Sequence, residues 1–316
     1  MQDTNKTPLP LIIAGARFQL NFELIRVAVA LLGTGAAAYQ DAKTSFIDDK
    51  LTVSMIALGT LFNVLMFDWD FALYSIGITA VIFAIGYVLY RTGQLGGGDV
   101  LLFCGLQALL PYYPSEAMAQ VLSSFGLAAQ QVIFFEPILP FFVSIYLACS
   151  FLGMALSGYI YAWKLYKKTG FRKLQPNFML GGATFATAAF ILYWFAFEFG
   201  IALQKTALVA AFLAPAVFLV IFKKDVSEKV ALRWIGRKEF EDEDIISIEL
   251  LPAKIVQKYG IERVLTTEQR KILEKVEAEE GIHKFPVQKD LPRFGPYILA
   301  GLIVCLLVPD LLLLLF

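Results

Sequence analysis

The sequence predicts an all-α polytopic membrane protein of about eight transmembrane helices, with a small α+β cytoplasmic insert before the last helix. Three observations predict this class. Hydrophobic residues make up 58% of the 316, with a mean hydropathy of +0.66, whereas soluble domains are nearer half apolar. Apolar runs recur from end to end. And 30 of the 54 charged residues crowd between Lys223 and Arg293. The implied division is a transmembrane core over 1–222, a charged cytoplasmic domain over 223–293 and a last helix over 294–316.

The apolar runs are Leu20 to Tyr39, Leu51 to Phe67, Phe71 to Tyr90, Val100 to Leu110, Pro137 to Trp163, Asn177 to Phe197, Leu203 to Phe222 and Pro296 to Phe316. Glu23 and Arg26 make the outer end of the first run amphipathic, and Leu9 to Phe18 reads as an interfacial segment ahead of it. The fourth run is too short to span alone. It has to borrow length from Gly96–Asp99 or from Pro111–Tyr113. No basic region, compact apolar core and small-residue cleavage site open the chain, so the first helix is expected to direct insertion.

Charge sets the expected orientation. Lys43, Lys50, Arg91, the group Lys164, Lys167, Lys168, Arg172 and Lys173, and Lys223 with Lys224 all fall on one side, and no Lys or Arg occurs between Arg91 and Lys164. The positive-inside rule makes the basic side cytoplasmic. The N-terminus is then outside, and Asp41 and Asp99 both face the cytoplasm. Net charge is zero, which argues against nucleic acid as a partner.

Within the insert, Ile245 to Leu250 is rich in β-branched residues and reads as a strand. Thr266 followed by Gln269 is a capping box that opens a helix to about Glu280, stopped by Gly281. Glu239 to Asp244 reads as a solvated acidic loop, with a surface for a basic substrate as the other reading. Cys104, Cys149 and Cys305 sit singly in apolar runs and read as buried structural thiols.

Elimination narrows the chemistry. The single histidine, His283, lies in the insert, and there is no HExxH and no GxSxG, which argues against zinc-protease and Ser–His sites. The glycine run is followed by neither Lys-Ser nor Lys-Thr, so it is no phosphate loop. What remains in the apolar core is carboxylate. Asp41 closes the first run, and Gly96-Gly97-Gly98-Asp99 opens the fourth, two runs later. Two acids held close cannot both ionise, so one proton is shared. Such a pair can activate a water and protonate the carbonyl that the water attacks, with no metal or cofactor required. Gly96 and Gly98 would allow positive φ and close backbone approach for an extended substrate.

Each acid also has a simpler reading. Asp99 could be a helix N-cap. Asp41 could be an interfacial acid paired with Lys43 or Arg91. Glu23, Asp68, Asp70, Glu116, Glu136 and Glu198 fall on the other face and read as structural. Asp310 lies deep in the last run without an evident partner.

Asp41-Ala-Lys43-Thr-Ser-Phe-Ile47-Asp-Asp49 resembles the first catalytic motif of the type IV prepilin peptidases, and Gly96-Gly97-Gly98-Asp99 resembles their GxGD motif. The resemblance is strongest to the archaeal prepilin and preflagellin (archaellin) peptidases, the class III signal peptidases. It extends weakly to the insert and to Pro292-Arg-Phe-Gly-Pro296. It implies an intramembrane aspartyl endopeptidase that removes short basic leaders from pilin or archaellin precursors at the cytoplasmic face. Asp41 and Asp99 would be the catalytic pair, Gly96, Gly97 and Gly98 the active-site loop, and Lys43 a supporting residue. The chain departs from the family in having Leu101 where members often carry Lys. It also lacks the paired cysteines of the methylating bacterial enzymes, so methyl transfer is not expected.

Three other readings compete. Presenilin and signal peptide peptidase also use GxGD, but place a Tyr before the first acid, where this chain has Gln40, and Ala214-Pro215-Ala216 only faintly echoes their Pro-Ala-Leu motif. A proton-coupled transporter would need broken helices in both halves. A membrane scaffold would need neither acid.

Overall fold

The computed structural model describes residues 9–66, 68–125, 140–170, 174–199, 203–241, 244–289 and 292–308. Its longer α-helices are α1 (Leu9–Thr44), α2 (Asp49–Leu65), α3 (Trp69–Arg91), α4 (Gly97–Leu109), α5 (Ser115–Ser124), α6 (Phe141–Thr169), α7 (Phe178–Phe199), α8 (Leu203–Ile221), α9 (Ala253–Tyr259), α10 (Thr267–Glu280) and α11 (Gly295–Leu307), with a single helical turn over Lys223–Val226. Three short strands, β1 (Leu232–Ile235), β2 (Ile245–Ile246) and β3 (Phe285–Gln288), form one antiparallel sheet in the order β1-β3-β2.

A mostly helical chain with a small α+β insert is therefore what the sequence folds into. Among the described residues, three helices are long and apolar enough to cross a membrane, namely Phe22–Thr44, Trp69–Arg91 and Phe141–Thr169. Gly97–Leu109, Phe178–Ile191 and Gly295–Leu307 are apolar but shorter. The side chains of α3 explain its place among the three. Leu73, Tyr74, Val81, Ile85 and Val88 are all exposed, an apolar surface that suits lipid rather than water. Trp69 and Arg91 bracket it, as interfacial anchors do.

The chain divides into two compact units. The first draws on Met1–Ile82, Leu101–Cys149 and Gly295–Leu314. Within it α11 packs along α1, and the Tyr113 hydroxyl donates to the Leu306 carbonyl near the end of α11 at 3.0 Å. Phe103 of α4 meets Phe142 and Tyr146 edge-on at 5.8 and 5.6 Å. Gly59 of α2 lies against α4 so closely that a Cβ there would stand 2.4 Å from the Ala108 carbonyl carbon. Only glycine fits that crossing.

The second unit draws on Phe83–Val100, Ser150–Phe294 and Leu315–Phe316. Tyr161 and Leu165 of α6 pack on Val226 and Val230, with Phe218 and Phe222 alongside. The insert has its own core of Ile235, Phe240, Ile246, Leu265, Leu273, Val276, Phe285 and Val287. Phe240 and Phe285 meet edge-on at 5.8 Å.

Several expectations are corrected. Leu9 to Phe18 is the beginning of α1 itself, since one helix runs unbroken from Leu9 to Thr44. α4 takes its extra length from the glycine run, starting at Gly97. The strand expected over Ile245 to Leu250 is only Ile245–Ile246, and a 3-10 turn over Ile248–Leu250 ends it. Ser247 N–H pairs with the Pro286 carbonyl, and no ladder extends beyond it. The stretch after Pro111, outside the eight apolar runs, holds α5, whose Ala117, Met118 and Leu122 are buried. The capping box is half realised. Thr266 Oγ1 accepts from Gln269 N–H at 3.3 Å, while the Gln269 side chain turns to Glu262 N–H and the Gly260 carbonyl. Glu136 and Asp310 lie outside the described residues.

Candidate active site

The segment between Asp41 and Asp49 is a tightly built turn. The Ser45 N–H donates to the Asp41 carbonyl at 2.8 Å, and Ser45 takes a left-handed φ of 58°. Thr44 Oγ1 donates to the Gln40 and Phe46 carbonyls. Gln40 Oε1 accepts from Asp48 N–H at 3.0 Å, and Asp48 caps α2 through Lys50 N–H at 2.9 Å. Ile47 is buried at the centre. Turn formation thus accounts for most of this motif.

Asp41 is buried on the last turn of α1, and its Oδ2 accepts from the Gly295 N–H at 2.8 Å. That amide is at the start of α11, where backbone donors lack intrahelical partners and favour negative charge. A Cβ on Gly295 would stand 3.0 Å from Asp41 Cβ and 3.1 Å from its Oδ2. Lys43, two residues on, is exposed and lies over the Tyr39 ring at 5.8 Å.

Asp99 is partly buried in the first turn of α4. The helix begins two residues earlier, and Val100 N–H pairs with the Gly96 carbonyl at 3.2 Å. Asp99 is therefore inside the helix and not at its N-cap position. Gly97 and Gly98 are helical. The positive φ that glycine allows is taken up in this stretch by Gly93, φ 71°, and not by Gly96 or Gly98. What Gly96 provides is room: a Cβ there would stand 3.0 Å from Asp99 Oδ2.

The approach to this loop rests on the insert. Gly93 faces Ile245 and Arg263, and Arg91 pairs with Glu262 at 2.9 Å, so Glu262 holds the guanidinium that the simpler reading paired with Asp41. Asp41 falls in the first compact unit and Asp99 in the second. Among the described residues no group of three His, Cys, Asp or Glu side chains is placed to hold a metal ion.

One partner of the acids had no role assigned from the sequence, and one charge far from both acids was seen without its partners. Gly295 stood out only as part of Pro292-Arg-Phe-Gly-Pro296 in the resemblance, with nothing along the chain to pair it with Asp41. Arg26 was visible as a charge in an apolar run, yet its burial at 2% exposure depends on partners on α2 and α4 that no local pattern announces.

Acidic motifs on apolar helices, with a charged insert, define the class to be compared with known proteins. Residues 28–158, which contain both motifs, match the type IV leader peptidase family, and this bears out the resemblance to archaeal prepilin and preflagellin peptidases. The chain is 44% identical over 98 residues to the prepilin peptidase EppA of Methanothermobacter thermautotrophicus, covering 29% of this chain and 25% of that protein. It is 33% identical over 94 residues to the preflagellin peptidase of Methanocaldococcus jannaschii and 29% identical over 94 residues to that of Methanococcus maripaludis, each covering 28% of this chain and 40% of the relative. The chain thus spans a quarter to two-fifths of the length of these relatives. No solved structure matches.

Proposed function

We propose that the chain is an intramembrane aspartyl endopeptidase that removes short basic leaders from type IV pilin or archaellin precursors at the cytoplasmic membrane face. The observation that carries this reading is the family match over 28–158, a stretch holding both Asp41 and Asp99. The ionised member of the pair takes a proton from water as the water attacks the scissile carbonyl. The protonated member hydrogen-bonds the carbonyl oxygen as it becomes tetrahedral, and the amine leaves with a proton. The pair titrates as a unit.

The core over 1–222 and the last helix over 294–316 hold the site, and 223–293 forms the cytoplasmic domain. The Arg91–Glu262 pair supports a domain that steadies the loop before Gly96. Presenilin-type proteolysis and proton-coupled transport remain weaker alternatives, because the match is to the leader peptidases.

The test is co-expression with pilin and archaellin precursors, read as a mobility shift on leader loss. Cleavage by the wild type and none by Asp41→Asn or Asp99→Asn is expected. An uncut precursor in every pairing would overturn the reading. Reporters fused at Lys168 and Lys254 should read as cytoplasmic and one at Ser123 as external.

A further inference from the structure

Arg26 is a guanidinium in an apolar helix with 2% exposure. A charge at that depth is costly unless its donors find acceptors, and the acceptors here are specific. Nε donates to the Leu109 carbonyl at 2.7 Å, and Nη2 donates to Asn63 Oδ1 and to the Ala108 carbonyl at 3.3 Å. Asn63 Nδ2 donates to the same Ala108 carbonyl at 3.1 Å and to Ser75 Oγ at 2.8 Å. Asn63 and Ser75 are themselves buried. Residues of α1 and α2 thus converge on the last carbonyls of α4, and Ser75 of α3 holds Asn63 there.

We propose that Arg26, with Asn63 and Ser75, is a positioning latch that fixes how far α4 is seated against α1 and α2, and thereby holds Asp99 at the other end of the same helix. The inference rests on the reading of Asp99 as catalytic. α4 has 13 residues, about 20 Å of helix, so its carbonyl end stops short of spanning a bilayer. Those carbonyls have no intrahelical partners, and lipid supplies none. Arg26 and Asn63 supply them and place a positive charge at the negative end of the helix dipole. Buried ionic networks contribute little net stability, and their best-attested use is to fix register. Gly59 adds to this, because its crossing with Ala108 tolerates no side chain. A slip of α4 by one residue would move Asp99 by about 1.5 Å, a displacement that costs about a hundredfold in rate at a reacting centre.

Cys104 is a native reporter of this seating. It lies on α4, 1% exposed, with Sγ 3.8 Å from the Thr79 carbonyl of α3. In the full chain carrying Cys149→Ser and Cys305→Ser, Cys104 alkylation by a small membrane-permeant maleimide is measured beside cleavage of a purified precursor. For Arg26→Met, kcat is expected to fall about tenfold with KM held within about twofold, while alkylation of Cys104 quickens. Arg26→Lys, which keeps the charge but not the fork, should recover part of both. Unchanged kcat overturns the latch. So does a fall in kcat with Cys104 still protected, or a change confined to KM. Should Arg26→Met not fold, Asn63→Ser is decided by the same two measurements. Normal cleavage by Asp99→Asn would instead sink the catalytic reading, whatever Cys104 reports.

Discussion

The backbone N–H of Gly295 donates to Oδ2 of Asp41 across a buried contact of 2.8 Å, joining residues 254 positions apart in sequence. The bond gives Asp41 a structural duty, the N-terminal cap of α11, beside the catalytic duty proposed for it. The two duties separate under one substitution. Asn caps a helix about as well as Asp, so Asp41→Asn should keep the fold and its melting temperature. Leader cleavage should nevertheless vanish, because an amide cannot accept the proton of water. An active Asp41→Asn enzyme would leave the residue a cap and nothing more.

Gly295→Ala tests the same contact from the other side. The new Cβ would press on Asp41 at 3.0 Å. Displacing a catalytic group by about 1 Å costs on the order of a hundredfold, so kcat should drop by that order in a protein that still purifies as a single species. Full activity would show that the Asp41 position has slack.

Tyr113→Phe deletes the hydroxyl that meets the Leu306 carbonyl. A buried carbonyl left without a donor costs about 1–3 kcal/mol, and in lipid no water replaces it. Thermal unfolding in detergent should register the loss, while the KM for precursor should stay put.

Gly59 and Gly77 make a matched pair. A Cβ at Gly59 meets the α4 backbone at 2.4 Å, and a Cβ at Gly77 meets nothing within 4 Å. Gly59→Ala should destabilise by about 1–3 kcal/mol, whereas Gly77→Ala should be neutral or raise the melting temperature by lowering the entropy of the unfolded chain. Equal melts for the two would mean that α2 and α4 do not cross so closely.

Asp225 supplies a pH dependence. Burial would raise its carboxyl, but Lys229 Nζ at 2.6 Å and the Gln175 N–H at 2.8 Å outweigh burial and hold it below the usual carboxylate range. A depressed folded-state pKa adds stability above the ordinary carboxylate value, and that stability fades as pH falls through the folded one. Asp225→Asn should therefore melt lower than wild type at neutral pH, and the two curves should begin to converge only once pH falls below the ordinary carboxylate range. A gap that stays constant with pH would count against the carboxylate's part.

Composition and charge sufficed to announce an apolar helical chain with a charged α+β insert, because hydrophobic content and charge clustering are properties of whole segments. The helix from Thr267 to Glu280 was legible from its cap and its stop, both local. Asp41 and Asp99 stood out because a carboxylate beside an apolar run is rare and costly. The glycine run misled, since glycine permits a turn without requiring one, and here two of its members entered α4.

Long-range hydrogen bonds were beyond any pattern along the chain. Gly295 meeting Asp41, Tyr113 closing α11, and Arg26 and Asn63 closing α4 all join residues between 45 and 254 positions apart. Each satisfies a backbone or charged group that lipid would leave bare, and which distant side chain does so depends on how the helices pack. Local residue preferences therefore chose the elements and the acids, and packing chose the partners that hold them.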